Sequence, residues 1–339
     1  MRKLLLVLLV LAVAAAGGAA WYWQRATAAM TAPGPHAVNV AYTVRPGASV
    51  RTVLAELDAE GLLNDRRAIE IVLRVRGSPQ IRSGKYEFPA HESAADILKQ
   101  LAEGRVVLEA LTVIEGWTFA DLRRVVEAHP GIQQTLRGRE VADVMAAIGH
   151  AGEHPEGRFY PDTYRFAAGT PDRDLYALAY RKMADTLASA WSARAQDLPI
   201  TTDYEALTLA SIIEKETGLA SERPRIAGVF TTRLRRHMRL QTDPTVIYGI
   251  GPSYDGNIRE RDLRTDTPYN TYTREGLPPT PIALPSRESI EAATHPLETG
   301  DIFFVATGEG DGSHVFSAML EAHNAAVARY LARLKGNRR

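Results

Sequence analysis

Ala41-Tyr42-Thr43-Val44, then Arg45-Pro46-Gly47, then Ser49 with Val50, Val53, Leu54 and Leu57 behind it: within residues 41–57 the apolar spacing changes from that of a strand to that of a helix. Pro46-Gly47 makes the turn, and Ser49 is placed to cap the helix with its hydroxyl. Outward from there, Ala68, Ile71, Val72 and Val75 suggest a second helix and Gly84–Phe88 a short strand. Ser93 then caps a helix through Ile97, Leu98 and Leu101 that stops near Gly104. This β-α-α-β-α order predicts a small α+β module over residues 40–110.

Before the module, the run Leu4–Trp23 carries no charge, comes after Arg2-Lys3 and ends in Trp21-Tyr22-Trp23. At a rise of about 1.5 Å per residue it matches a hydrocarbon core of about 30 Å. The aromatic trio suits the far headgroup zone, and the basic pair favours a cytoplasmic N-terminus. Residues 1–24 are therefore expected to be an uncleaved single-pass anchor in the inner membrane. The small residues of Ala14–Ala19 would equally serve a signal-peptide cleavage site. On either reading, the chain after the apolar run lies outside the cytoplasm. Residues 25–39, rich in Ala, Thr, Pro and Gly, read as a tether.

Composition sets the limits. A chain of 339 residues has room for two domains, and 45% hydrophobic with 24% charged residues is an ordinary globular balance. Forty basic residues against forty acidic ones argue against a nucleic-acid partner. The lack of cysteine excludes disulfides, a thiolate nucleophile, a Cys-based zinc site and a lipoprotein anchor.

Residues 111–335 are expected to form a larger α+β domain. Val107–Ile114 reads as a strand, followed by a helix around Leu122–Ala128; residues 140–200 are helical in pattern apart from Gly157–Tyr164. Helices are expected from about Tyr204 to Thr217 and from Glu222 to about Arg236, then a long loop-rich surface from Met238 to Pro285. Ile302–Ala306 and His314–Ser317 bracket a hairpin, and a basic helix closes the chain.

The run Ser211-Ile212-Ile213-Glu214-Lys215-Glu216-Thr217 carries the strongest chemistry. At about 100° per residue, Leu209, Ile212 and Ile213 straddle the direction of Glu216, and Glu214 falls about 160° away. Glu216 thus faces apolar surroundings, where desolvation favours the protonated acid. Glu214 reads as a polar-face residue. Downstream, Gln241-Thr242-Asp243-Pro244 through Tyr248, then Tyr269-Asn270-Thr271-Tyr272 and Gly276–Ile282, gather amides, hydroxyls and tyrosine rings in one loop region. Such side chains suit sugars, which offer hydroxyls and flat C–H faces.

These runs, with Glu156-Gly157-Arg158-Phe159-Tyr160-Pro161-Asp162-Thr163-Tyr164 and the terminal His314-Val315-Phe316 and His323-Asn324, closely resemble the MltG (YceG-like) family of endolytic murein transglycosylases. The likeness extends over nearly the whole chain. It implies that the small module is LysM-like and binds peptidoglycan, and that residues 111–335 are catalytic. It also implies cleavage of the β-1,4 bond between N-acetylmuramic acid and N-acetylglucosamine with 1,6-anhydro ends. Glu216 would be acid and then base, Glu214 being the alternative. Gln241, Thr242, Asp243, Tyr248, Tyr269, Asn270 and Tyr272 are the candidates for binding the glycan strand. Strand termination or trimming and association with peptidoglycan synthases are implied by the family alone. No cofactor and no metal is expected. Asp243 or Asp162 as a second carboxylate would make the enzyme a muramidase, although Asp243 before Pro244 reads first as a turn residue. A third reading is a glycan-binding scaffold without activity.

Other signals carry less. Gly251–Gly256 misses the nucleophile-elbow spacing, and Gly308–Gly312 reads as a hairpin turn. His295, His314 and His323 lack metal spacing, and Arg233–Arg239 reads as a solvated helix end.

Overall fold

The computed structural model describes residues 2–336, which divide into two compact units. The first runs to Glu109 and takes in Arg165–Thr170; the second comprises Ala110–Tyr164 and the chain from Pro171 onward.

In the first unit, helix α1 (Arg2–Thr31) precedes β1 (Val40–Val44), α2 (Val50–Ala59), α3 (Arg66–Arg76), β2 (Gly84–Phe88) and α4 (Ala94–Glu103). The order is the expected one, and the caps are those read from the sequence. Ser49 Oγ accepts from Thr52 N–H and Ser93 Oγ from Asp96 N–H, while Gly104 ends α4 at φ 72°. Strands β1 and β2 pair antiparallel, with Val40 opposite Phe88 and Val44 opposite Gly84. Tyr42, Val44, Tyr86 and Phe88 point inward against Leu57, Leu62, Ile69, Ile97 and Leu101. Burying each such side chain contributes roughly 1.5–3 kcal/mol.

Two expectations need correction here. The inner face of α3 is Ala68, Ile69, Val72 and Leu73, whereas Val75 is exposed. Apolar residues cover a little over half of this helix, with Arg67, Glu70 and Arg74 opposite, so sequence spacing does not choose between the Ile69–Leu73 and the Ile71–Val75 edge. The expected tether is also helical at its start. α1 continues through Thr31, and Ala26 is fully buried against Ala68 and Val72 of α3, with Trp23, Ala29 and Met30 packed around them. Small residues on both helices allow this close approach.

The second unit is mostly helical. After β3 (Leu108–Thr112) come α5 (Phe119–Ala128), β4 (Ile132–Gln133), α6 (Val141–Ala147), β5 (Thr163–Ala167), β6 (Thr170–Pro171) and α7 (Asp172–Ser192), with β3, β5 and β6 each divided between the two units. Then follow α8 (Asp203–Glu216), α9 (Arg223–Arg235), α10 (Asp243–Ile250), α11 (Glu260–Arg264) and α12 (Arg287–Thr294). The hairpin β7 (Phe303–Ala306) and β8 (His314–Ser317) precedes α13 (Leu320–Gly336). A capping box from Thr202 and Glu205 starts α8, and every residue from Ala206 to Ile213 is buried. α8 is therefore the central helix, in contact with α7, α9, α10 and α12. The stretch expected as one long loop after Met238 contains α10 and α11. Thr242 as N-cap with Pro244 in the first turn is a helix-start signal, masked by the surrounding Gly, Pro and Thr.

Ala26→Leu forces added carbons into the contact between α1 and α3 and is expected to cost about 1–3 kcal/mol. Denaturant unfolding of the detergent-solubilised chain reads this. A loss below about 0.5 kcal/mol, typical of a surface site, would contradict the docking of α1.

Candidate functional site

With Ala206–Ile213 of α8 buried, the two carboxylates of its last turn, Glu214 and Glu216, turn toward protein, while Lys215 between them is exposed. Glu214, expected on a polar face, has a side chain only 6% exposed and pairs at 3.2 Å with Arg223, itself 9% exposed. It also accepts from Ser286 N–H at 2.9 Å, Ser286 Oγ at 2.5 Å and Ser289 Oγ at 2.7 Å. These groups belong to the start of α9 and the N-terminus of α12, where a carboxylate is favoured. Glu214 is thus a clamp joining three helices.

Glu216 lies where the sequence placed it, half-buried with its carboxyl out of water. Burial pushes its pKa up from 4.5 to about 7, and the charge of Asp243 adds to the rise. Acting against these, Thr242 donates its hydroxyl to Glu216 Oε1, and buried Arg233 contributes positive charge. Arg233 is not the solvated helix end expected of it. Its guanidinium donates to the Ile302 carbonyl at 2.7 Å and the Leu240 carbonyl at 2.8 Å, while Arg235 pairs with Glu298 at the surface.

The Thr242 hydroxyl is aimed by the backbone on either side. Gln241 is left-handed at φ 53° and donates its N–H to the Thr271 carbonyl at 3.1 Å. Thr242 N–H donates to Thr271 Oγ1 at 3.1 Å. A non-glycine residue in that region costs on the order of 1 kcal/mol, which the surrounding bonds offset. Beside it, exposed Asp243 accepts from Tyr272 Oη at 2.6 Å. Asp243 is the first residue of α10, where the sequence suggested a turn.

Asn270, expected to meet a sugar, is buried within its own loop. Its Nδ2 donates to the carbonyls of Asp262, Leu263 and Thr265, and its Oδ1 accepts from Tyr272 N–H. Tyr269 bonds Thr280 Oγ1 through its hydroxyl at 2.9 Å and packs edge-on to Tyr248, ring centroids 4.9 Å apart. Asp162 forms an ion pair with Lys182 that holds its carboxyl below the usual range. His314 pairs with Glu222 at 2.7 Å and packs against Phe304 and Phe316.

A second desolvated acid, Glu156, was not singled out from the sequence. It is 4% exposed. Gly157, at φ 79°, brings the chain so close to Pro281 that a Cβ would lie 2.5 Å from the proline Cβ. Glu156 is thereby inserted between Phe119 N–H and Tyr248 Oη, both 2.9 Å from its oxygens. Burial outweighs these donors and raises its pKa to about 7. Glu156 lines a cavity of ≈ 730 Å³ along one face of α10, together with Thr118, Asp121, Lys215, Ile247 and Tyr248. Of the expected groove residues, Tyr248 alone reaches this cavity; Lys215, next in sequence to Glu216, forms part of its rim. The raised pKa values of Glu156 and Glu216 result from burial that only the folded chain creates. Among the described residues, no group of three or more His, Cys, Asp or Glu side chains could hold a metal ion.

Residues 42–329 match the model of the YceG-like family. The chain is 29% identical over 313 residues to the endolytic murein transglycosylase of Bacillus subtilis (strain 168), covering 87% of this chain and 85% of that protein. It is 26% identical over 318 residues to the protein of the same name from Streptococcus pneumoniae serotype 2, of whose length it spans 57%. A crystal structure of a YceG-like protein from Listeria monocytogenes is similar with a TM-score of 0.53 and 26% identity, over 85% of this chain and 98% of the other.

The two glutamates in the last turn of α8 should respond oppositely to substitution. Glu214→Ala leaves buried Arg223 with only the more distant Glu288, at 4.0 Å, and is expected to cost about 3 kcal/mol. An acid whose folded pKa is raised holds its proton more tightly when folded, so ionising it opposes folding. For Glu216 that penalty is absent well below 4.5, grows through the window from 4.5 to about 7, and is constant above it. Glu216→Gln should therefore gain stability relative to wild type as pH rises through that window. Denaturant unfolding at several pH values reads both effects; a Glu216→Gln variant that loses ground with rising pH would contradict the assignment.

Proposed function

The chain belongs to the YceG-like family, and we propose that it is a membrane-anchored lytic transglycosylase that cuts peptidoglycan glycan strands internally, with Glu216 as the acid-base group. The observation that carries this reading is the Glu216 carboxyl, desolvated, hydrogen-bonded by Thr242 and raised to about 7. A group with that acidity is available near neutrality in both protonation states that the chemistry requires.

The protonated carboxyl donates its proton to the glycosidic oxygen between N-acetylmuramic acid and N-acetylglucosamine as that C1–O bond breaks. Positive charge develops at C1 and the ring oxygen, and the new Glu216 carboxylate lies beside it. Asp243, oriented by Tyr272, adds negative charge close to Glu216. The carboxylate then takes the proton of the muramic acid C6 hydroxyl, whose oxygen bonds to C1. This closes a 1,6-anhydro ring and returns Glu216 to its acid form without consuming water. Glu214 does not take this role, because its oxygens are engaged by Arg223, Ser286 and Ser289.

Gln241, Thr242, Tyr248, Tyr269 and Tyr272 shape the glycan site, and Asn270 fixes the loop that carries two of them. The small unit, residues 40–110, acts as a LysM-like binding module, and residues 111–335 as the catalytic domain. Residues 4–23, part of a helix long and apolar enough to cross a membrane, hold the chain in the inner membrane with both domains periplasmic. Strand termination and association with peptidoglycan synthases belong to the same reading and rest on the family resemblance.

Glu216→Gln should lower glycan release from insoluble peptidoglycan by about 10²–10⁴-fold, the usual contribution of general acid-base catalysis. Wild-type rates from that variant would overturn the proposal. Thr242→Val removes a donor that lowers the pKa of Glu216. The alkaline limb of the kcat/KM profile should then move to higher pH; an unmoved limb would mean that Glu216 is not the titrating acid.

A further inference from the structure

The apolar run at the N-terminus does not lead into a free tether. α1 is unbroken to Thr31, and its last turns present Trp23, Ala26 and Met30 to α3. Two contacts fix the direction of α3. The guanidinium of Arg76, its last residue, lies 5.7 Å from the Trp23 ring. Asn64, just before α3, donates from Nδ2 to the carbonyl of Pro33, just past α1, at 2.8 Å. α3 is therefore antiparallel to α1, and its C-terminal turn points back toward the apolar run Leu4–Trp23.

Trp21, Tyr22 and Trp23 mark the level at which such a run leaves the hydrocarbon for the headgroups. Contact with Trp23 sets Arg76 and its neighbours at that level. Met30 is about 10 Å further along the α1 axis. The turn has a distinct character. Val75 is 67% exposed, with exposed Arg74 and Arg76 on either side. Among the described residues, neither arginine has a carboxylate partner, whereas Arg66 at the other end of α3 pairs with Glu70 at 2.8 Å. Arg25, over the Trp21 ring at 5.8 Å, is likewise without one. Basic residues in a last turn also complement the helix dipole, but that role does not call for an exposed valine between them. Guanidinium groups match phosphate, and an apolar tip flanked by cations suits the zone between headgroup and acyl chain.

We propose that the turn Arg74-Val75-Arg76, with Arg25, is a docking surface for the anionic phospholipid headgroups of the bilayer that α1 enters. The small unit is then seated on the membrane in a fixed orientation. This rests on the reading of residues 4–23 as a membrane span.

Because the chain has no cysteine, single fluorescent probes can be placed on the full-length protein. Val75→Cys, Arg67→Cys in the first turn of α3 and Val13→Cys within the span would each carry bimane in phosphatidylcholine vesicles, with or without phosphatidylglycerol. Quenching by lipids spin-labelled at the headgroup or along the acyl chain reports depth. The headgroup label should quench the probe at Val75 but not at Arg67, most strongly with phosphatidylglycerol. Arg74→Gln and Arg76→Gln should lower the seated fraction about fivefold each in the anionic vesicles. If Val13 is quenched by the acyl-chain label and Val75 no more than Arg67, the span stands and the seating is wrong. If Val13 escapes the acyl-chain label, the span reading fails and the docking surface with it.

Discussion

A helix buried on every side must still end, and the way α8 ends organises the second unit. From Ala206 to Ile213 its neighbours leave no polar face, so the carboxylates of its last turn meet protein rather than bulk water. One is neutralised in place: Glu214 gathers Arg223, Ser286 and Ser289 and ties α8 to α9 and α12. The other, Glu216, receives a single neutral hydroxyl from Thr242, with Arg233 near enough to contribute charge but bonded to backbone carbonyls. Two residues along one helix turn thus separate a carboxylate with four partners from an acid whose pKa burial raises to about 7. Partnering decides the difference, since both are withdrawn from solvent.

The same logic recurs at Glu156, where a backbone N–H and a tyrosine hydroxyl fall short of offsetting burial. Tyr248 connects this acid to α10, whose first turn is anchored through Thr242 to Glu216. Both raised acids therefore bear on one short helix, and the ≈ 730 Å³ cavity runs along its face. The left-handed Gln241 and the Thr271 bonds hold that helix in register, so the backbone, more than any one side chain, sets the geometry around Glu216.

Much of this was legible because it is local. Ser49, Ser93 and Gly104 announce helix ends by their own chemistry, and the direction of Glu216 is set by the apolar positions around it on α8. The features that sequence left open depend on partners far along the chain. Glu156 is buried by Phe119 and Tyr248, the latter 92 positions away, and nothing near it in sequence signals that. Glu214 read as polar because the serines that bury it lie on α12. Asn270 belongs to a polar, tyrosine-rich loop that suits sugars, yet its amide is taken up by three carbonyls at the end of α11. The apolar residues of α3 cover more than half of its circumference, so only packing, chiefly against α1 and α2, selects the inner face. The start of α10 was written in Thr242 and Pro244, but composition outweighed it.

In the proposed reaction one carboxyl acts as acid and then base, without water entering the bond. The most direct measurement is mass spectrometry of the chain ends left on purified peptidoglycan by the full-length protein in detergent. The proposed reaction leaves 1,6-anhydro-muramic acid ends with the wild type and none with Glu216→Gln. Reducing muramic acid ends would contradict it and turn attention to Asp243 as a second carboxylate that activates water.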